Sequence, residues 1–213
     1  MKTNNFIEDL KLSLKNLPGT DVQWFMASSD RLMKDFPLNP GPDARSAGVL
    51  ILLYPSGKAV RTVFIQRPEY PGIHGGQISF PGGKKELHDK TIIDTALRES
   101  KEETGINPVE IQIIGSLTPL FIPVSNTVVT AVTGWTDQRP EFIPDNREVD
   151  FLIEADLASF LDTSMIRSKS MLLNGQIVTI RYFDYNGFVI WGATAMILNE
   201  LLEIIRRDNI SIP

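Results

Sequence analysis

Apolar residues recur with two different periods along the chain, and the period changes from segment to segment. Residues 47–67 contain two apolar runs rich in β-forming residues, on either side of Pro55-Ser56-Gly57. This arrangement predicts a β-hairpin. Further strand-type runs lie at 109–117, 127–135, 148–154, 169–173 and 176–184. The middle of the chain is therefore predicted to be mostly strand.

Helical periodicity marks three other segments. Residues 91–104 carry an apolar face and stop at Gly105, and residues 191–209 form a second amphipathic segment with two arginines in its last turn. Near the start of the chain, helical spacing ahead of Pro18-Gly19 is shared by Phe6, Ile7, Leu10, Leu14 and Leu17. Together with the strands, these helices predict an α+β fold in which helices cover a mixed sheet.

The length of 213 residues is that of one domain. Residues 36–48 are dense in proline and glycine and are predicted to join an N-terminal helical segment to the main body. We therefore expect a single domain over 1–213, with a helical extension at 1–43 and a core at 44–213. The extension could cover an apolar face or shape an interface with a partner.

Composition limits the classes of function. A formal net charge of −5 argues against a general nucleic-acid binder, but an anionic small-molecule substrate stays open. The absence of cysteine excludes disulfides, thiolate metal sites and thiol nucleophiles. No signal-peptide pattern and no membrane-length apolar run is found, so we expect a cytoplasmic protein with no membrane partner. The oligomeric state is open, with a homodimer among the options.

Negative charge is unusually dense at the end of the predicted helix 91–104, where Glu99, Glu102 and Glu103 precede Gly105. Like charges at helical spacing repel by roughly 0.2–0.5 kcal/mol per pair, and anions also face the unfavourable end of the helix dipole. At about 100° per residue, Glu103 falls inside the apolar stripe, Glu99 on its edge and Glu102 outside it. A carboxylate turned towards a core must be neutralised, paired or bound to a cation.

Two explanations compete for these glutamates. Pairing of Arg98 with Glu102, with Lys101 aiding solvation, accounts for Glu102 but not for Glu103. The alternative uses the tight turn 80–83, whose paired glycines let backbone carbonyls approach an ion. Carbonyls and carboxylates form a hard-oxygen ligand set suited to Mg²⁺ or Mn²⁺. Such metals serve phosphoryl chemistry, so the pattern favours a divalent-metal site.

The segment from Gly83 to Ile106 resembles the Nudix box, G-x5-E-x7-R-E-U-x-E-E-x-G-U, where U is aliphatic. The matching residues are Gly83, Arg98-Glu99, Glu102-Glu103 and Gly105-Ile106. Two positions depart from the pattern: Asp89 replaces the first glutamate, with eight residues rather than seven before Arg98, and Ser100 replaces the aliphatic residue. The resemblance implies an α/β/α sandwich around a mixed sheet and hydrolysis of a nucleoside diphosphate linked to another moiety.

The resemblance also implies roles for the matching residues. Glu102 and Glu103 would bind the metal, Mg²⁺ or Mn²⁺, and Glu99 would bind it or orient the water. The Gly82 carbonyl would complete the coordination sphere. Arg98 would hold the glutamates in place.

A narrower resemblance, to the coenzyme A pyrophosphatase branch of this family, covers residues 64–83, the box and residues 187–201. It implies that coenzyme A or an acyl derivative is cleaved to 3′,5′-ADP and (acyl)phosphopantetheine. Matching positions and nearby cations give the substrate-binding candidates Arg67, His74, Gln77 and Lys84. Pro68 stands in place of a serine, and Pro71-Gly72 in place of a Leu-Arg pair.

The missing arginine keeps other substrates open, because arginine is a natural partner for a phosphate. One alternative is another nucleoside diphosphate derivative such as ADP-ribose. A Nudix-fold module that binds a ligand without hydrolysis is a third hypothesis, although the complete R-E-x-x-E-E set speaks against it.

A further acid is implied downstream of the box. Residues 145–157 resemble the segment of this branch in which an acid and a valine lead a strand, and Glu148 occupies the position of that acid. Glu148 is therefore a candidate general base or additional metal ligand. Asp145 and Asp150 are competing candidates, and a solvated loop charge is the structural alternative.

Overall fold

The computed structural model describes residues 2–29, 39–68, 76–173 and 175–213, apart from the side chains of 2–4 and 173. The helices in these ranges are α1 (Lys2–Ser13), α2 (Thr20–Trp24), α3 (Ile92–Thr104) and α4 (Gly192–Arg207). The strands are β1 (Arg45–Ser56), β2 (Ala59–Gln66), β3 (Ile78–Ser79), β4 (Gly82–Lys84), β5 (Gln112–Ser116), β6 (Leu120–Ile122), β7 (Thr127–Trp135), β8 (Phe151–Asp156), β9 (Ile166–Leu173), β10 (Gln176–Tyr185) and β11 (Phe188–Trp191).

Within the described ranges, eight strands form one mixed sheet. Its main path is β3-β2-β1-β7-β5, while β4 pairs with β1, β6 with β7 and β8 with β2. Strand β1 runs parallel to β7 and antiparallel to β2 and β4. Strands β9, β10 and β11 form a smaller antiparallel sheet in the order β11-β10-β9, and β11 is followed directly by α4.

The large sheet separates two apolar layers. On β1, Leu50 and Leu52 pack in the layer that contains Ala96 of α3, whereas Ile51 and Leu53 pack in the layer of α1 and α4. This alternation follows from the two-residue period of a strand. Helices therefore cover both faces of a mixed sheet, and the predicted α/β/α sandwich is confirmed.

Several predicted boundaries move because local turns compete with the regular elements. Helix α1 ends at Ser13 rather than at Pro18-Gly19, since the Asn16 N–H donates to the Ser13 carbonyl in a turn. The predicted strand 109–117 begins only at Gln112, because Pro108–Glu110 forms a short 3₁₀ turn capped by the Asn107 side chain. Strand β8 begins at Phe151 rather than 148. The predicted turn 80–83 is wrong in part, because Gly82 and Gly83 belong to strand β4 and pair with β1.

The N-terminal segment packs against the rest of the protein. Phe6, Leu10 and Leu14 are buried in the same apolar layer as α4. The segment thus covers an apolar face, one of the two roles expected for it, while the division into 1–43 and 44–213 stays a prediction. Of the helices described, none combines the length and apolarity needed to cross a bilayer.

Gly48 lets α3 lie close against β1. A Cβ atom at this position would be 2.7 Å from the Ile92 carbonyl oxygen and 3.1 Å from the Ala96 nitrogen. Both atoms belong to the backbone of α3, so no side-chain rotation can relieve the contact. The missing side chain on β1 therefore sets how near the α3 carboxylates come to the sheet.

We expect Gly48→Ala to lower the free energy of unfolding by about 1–3 kcal/mol, because the added methyl group must push α3 away from the sheet. Urea denaturation measures the effect. The matched control is Gly41→Ala, whose methyl group would meet only the flexible Asp43 carboxylate, 3.0 Å away in an exposed loop. Equal unfolding midpoints for Gly48→Ala and the unaltered protein would contradict this packing argument.

Candidate active site

Arg98 is the centre of a polar network on α3. Its Nε and Nη2 donate to the two oxygens of Asp89 at 3.0 and 2.9 Å. Its Nη1 lies 3.0 Å from both Glu99 Oε1 and Glu102 Oε2, and its Nη2 also donates to the Lys84 carbonyl at 3.0 Å. The predicted Arg98–Glu102 pair is confirmed, as one member of a larger set. Arg98 thus ties the loop before the helix to two of the glutamates.

Asp89 is a site residue to which sequence reasoning gave no role. It is buried, and besides Arg98 its Oδ2 accepts from the Thr95 hydroxyl at 3.0 Å and the Glu86 N–H at 2.9 Å. The hydrogen bonds from Arg98 hold the pKa of Asp89 well below its ordinary value. Asp89 therefore stays ionised and fixes the guanidinium. The sequence offered one signal for this role, because Asp89 occupies the position of the first acid in the Nudix box pattern.

Glu103 is turned into the protein, as its position in the apolar stripe predicts. It is 1% exposed. Its Oε1 lies 3.0 Å from Arg67 Nη2, and its Oε2 accepts the Gly82 N–H at 2.7 Å. Burial raises the pKa of Glu103 to about 7 despite these two partners, and repulsion from Glu99 and Glu148 adds to the rise.

Glu99 lies half-buried between the helix and Gly83 of β4. A Cβ atom at Gly83 would be only 2.7 Å from its Oε1. Burial raises the pKa of Glu99, and the charges of Glu102 and Glu148 raise it further. Glu102 differs, because its side chain is 56% exposed. The helix thus presents one buried, one half-buried and one exposed carboxylate, which is the order that helical geometry predicts.

Glu148 reaches the site because its loop is fixed to the end of α3. The Ile143 N–H donates to the Thr104 carbonyl at 2.8 Å, and the Asp145 N–H donates to the Glu103 carbonyl at 3.1 Å. These bonds satisfy carbonyls that a helix end leaves without partners. Glu148 is exposed, yet its charge raises the pKa of both Glu99 and Glu103. Its carboxylate therefore acts on the same space as theirs.

The two competing acids are placed differently. Asp145 pairs with Arg147 at 2.6 Å, which holds the pKa of Asp145 below its ordinary value. Asp150 is exposed and bonds to the sheet through its main chain, with its N–H donating to the Gln66 carbonyl at 2.9 Å. This placement favours Glu148 over Asp145, and the role of Glu148 as base or ligand stays a prediction.

The predicted substrate-binding residues are only partly brought together. Arg67 contacts Glu103 rather than facing solvent, and its Nη2 also donates to the Gly82 carbonyl at 3.1 Å. Gln77 adjoins Arg67, since its carbonyl accepts the Arg67 N–H at 3.0 Å. Lys84 is exposed at the end of β4. His74 lies outside the described residues, so the substrate-binding roles stay predictions.

The donor set suits a divalent cation, although it is not preassembled. Across the described part of the chain, no three acidic or histidine side chains are close enough to form a ready-made metal cluster. However, Glu99 and Glu103 are carboxylates whose pKa is raised by burial, so a cation between them would relieve both. In the structure the Arg67 guanidinium occupies part of this donor set, because its Nη2 contacts both Glu103 and the Gly82 carbonyl. Hard oxygen donors of this kind fit Mg²⁺ or Mn²⁺.

Comparison with known protein families gives one clear match. A model described as the NUDIX domain matches residues 44–163, which is more than half of the chain. The chain is also similar to a crystal structure described as a Nudix hydrolase from M. smegmatis, RenU. That likeness has a TM-score of 0.55 and 15% identity, and it covers 77% of this chain and 87% of the other. At this identity it shows the fold alone.

Curated relatives are more similar in sequence. Nudix hydrolase 15, mitochondrial, of Arabidopsis thaliana is 35% identical over 172 residues, which span 76% of this chain and 60% of the plant protein. The human mitochondrial coenzyme A diphosphatase NUDT8 is 33% identical over 63% of this chain and 58% of its own length. A Nudix hydrolase NudL of Pectobacterium atrosepticum is 33% identical over 77% of this chain and 84% of its own. The chain thus spans about three fifths of the plant and human relatives.

We expect Gly83→Ala to weaken Mn²⁺ binding by about tenfold or more, the usual scale for disturbing a metal-site neighbour. The added methyl group would push aside the Glu99 carboxylate, which is the end of a flexible side chain, so the urea midpoint should stay near that of the unaltered protein. Mn²⁺ titration followed by electron paramagnetic resonance measures the affinity. Unchanged affinity would contradict the placement of Glu99, and Gly41→Ala is the control.

The buried Glu103 carboxyl should make metal-free stability depend on pH. Its folded pKa of about 7 lies above the ordinary 4.5, so the folded state holds the proton longer. Stability from this group is therefore greatest below pH 4.5 and falls by about 3 kcal/mol as pH rises through 7. We expect urea unfolding in EDTA to show a shallower decline for Glu103→Gln than for Glu8→Gln, an exposed control. Parallel profiles would contradict the assigned burial effect.

Proposed function

Because this chain belongs to the Nudix family, we propose that it hydrolyses the diphosphate linkage of a nucleoside diphosphate derivative, with coenzyme A or an acyl-coenzyme A as substrate. The products would be 3′,5′-ADP and (acyl)phosphopantetheine. The observation that carries the hydrolase proposal is the carboxylate set of α3. Arg98, itself held by Asp89, contacts Glu99 and Glu102, whereas Arg67 and the Gly82 N–H contact Glu103. Support for coenzyme A comes from residues 64–83 and 187–201 and from the name of the human relative.

A bound Mg²⁺ or Mn²⁺ would polarise phosphate oxygens and lower the pKa of a water molecule. Glu99, Glu103 and the Gly82 carbonyl would hold this ion, with Glu102 at the exposed rim. Arg98 keeps Glu99 and Glu102 in place through its two bonds of 3.0 Å. Water would attack one phosphorus atom, and the bond from that phosphorus to the bridging oxygen would break.

Glu148 is the proposed acceptor of the proton from the attacking water. This role is supported by its charge, which adds to the rise in pKa that burial causes at both Glu99 and Glu103. Its loop is anchored to the last carbonyls of α3, and its carboxylate is exposed, which supports this role. A carboxylate within reach of the attacking water can act as a general base.

ADP-ribose is the alternative substrate, because Pro71-Gly72 replaces the pair that includes an arginine in the coenzyme A branch. A non-hydrolytic binding module is a weaker alternative, since the ionic set around Arg98 is complete. The cytoplasmic location stays a prediction, as do a homodimeric state and the absence of nucleic-acid and membrane partners.

We expect chromatography of coenzyme A incubated with the protein and Mg²⁺ or Mn²⁺ to show 3′,5′-ADP, abolished by EDTA. Glu103→Gln should reduce turnover by about 100-fold or more, because it removes a carboxylate that is proposed to hold the metal ion. Glu8→Gln, with the same change of charge at an exposed site, should retain full activity.

Cleavage of ADP-ribose but not of coenzyme A would keep the hydrolase and discard the proposed substrate. Full activity of both Glu102→Gln and Glu103→Gln would show that the site is wrongly assigned. Tight binding of coenzyme A and ADP-ribose with hydrolysis of neither would favour the binding module.

A further inference from the structure

A groove of about 830 Å³ lies at the start of β1 and the end of β4. It is lined by residues 45–46 on one side and 84–89 on the other. These two segments are joined by the antiparallel pairing of β1 and β4 and by the Lys85 N–H, which donates to the Ser46 carbonyl at 2.9 Å. The groove is therefore part of the same framework that carries the glycine turn.

The groove is rich in positive charge, although the whole chain has a formal net charge of −5. Its cations are Arg45, Lys84 and Lys85, and none of the three forms an ion pair with a described residue. Arg45 instead donates to the Ser125 carbonyl at 2.6 Å, which fixes its side chain without neutralising it.

Two acidic residues also line the groove, and both lie beside Arg98. Asp89 is bonded twice to Arg98. Glu86 lies 4.0 Å from Arg98 Nη1 and 3.5 Å from a ring nitrogen of His88. The three cations of the lining outnumber its two acids, so the net charge of the lining is positive and favours an anion.

The groove is connected to the candidate active site through Arg98. Lys84 and Asp89, which line the groove, both accept hydrogen bonds from this guanidinium, and the same group contacts Glu99 and Glu102. An anion in the groove would thus be separated from the candidate metal ligands by a single side chain. A ligand with two anionic groups could use both places at once.

We infer that this groove binds a phosphate group of the substrate that is separate from the diphosphate being cleaved, which in coenzyme A is the 3′-phosphate. The inference rests on the proposed function for the identity of the diphosphate. A phosphate monoester is the class of anion that a cluster of lysines and an arginine recognises. The groove would also supply the positive charge that the chain lacks at Pro71-Gly72.

The test compares binding of 3′,5′-ADP and 5′-AMP by isothermal titration calorimetry, since the two nucleotides differ only in the 3′-phosphate. We expect the unaltered protein to prefer 3′,5′-ADP. Lys85→Ala should weaken 3′,5′-ADP by about fivefold and leave 5′-AMP unchanged, a difference of the size expected for one partly exposed ionic contact. Lys58→Ala removes the same charge from the exposed β1–β2 turn and should change neither affinity.

Equal affinity of the unaltered protein for the two nucleotides would overturn the inference, as would equal weakening of both by Lys85→Ala. Hydrolysis gives an independent readout, because the KM for coenzyme A should rise about fivefold in Lys85→Ala while the KM for dephospho-coenzyme A stays constant. A preference for 3′,5′-ADP that Lys85→Ala removes, with no turnover of coenzyme A, would keep the groove and reject the proposed substrate.

Discussion

The need to hold several carboxylates together at the end of one helix governs this part of the structure. Glu99, Glu102 and Glu103 repel one another, and the helix dipole adds to that repulsion. Arg98 offsets this repulsion, because its guanidinium contacts Glu99 and Glu102. Arg98 is itself held by the buried Asp89. For the third, Arg67 and the Gly82 N–H provide the partners. Strand β4 and the end of β2 are thus fixed relative to α3 by charge as well as by packing.

Close backbone packing makes these contacts geometrically attainable. Without a side chain at Gly48, α3 rests directly on β1, and without one at Gly83 the Glu99 carboxylate fits over the turn. The loop 141–150 then satisfies the last carbonyls of α3 and carries Glu148 towards the same space. The position of α3 on the sheet therefore determines where the oxygen atoms of α3, of β4 and of the loop 141–150 lie.

Features that depend on neighbouring residues could be predicted from the sequence, whereas contacts between distant segments could not. The inward direction of Glu103 follows from helical arithmetic, and the bounds of α3 follow from its capping residues Thr91 and Gly105. The contact of Arg67 with Glu103 joins residues 36 positions apart, through the pairing of strands, so no local pattern reveals it. The strand β6 was missed because only Leu120–Ile122 pairs with β7, too short a run for a period to appear.

The sequence and the structure assign Arg67 to different partners. Sequence matching placed it against the substrate, whereas the structure places it on Glu103 and the Gly82 carbonyl. Those oxygens are the ones that would hold a divalent cation, and two positive groups cannot share them without repulsion. A divalent cation and the Arg67 guanidinium would therefore compete for Glu103, and the substrate-binding role of Arg67 stays a prediction.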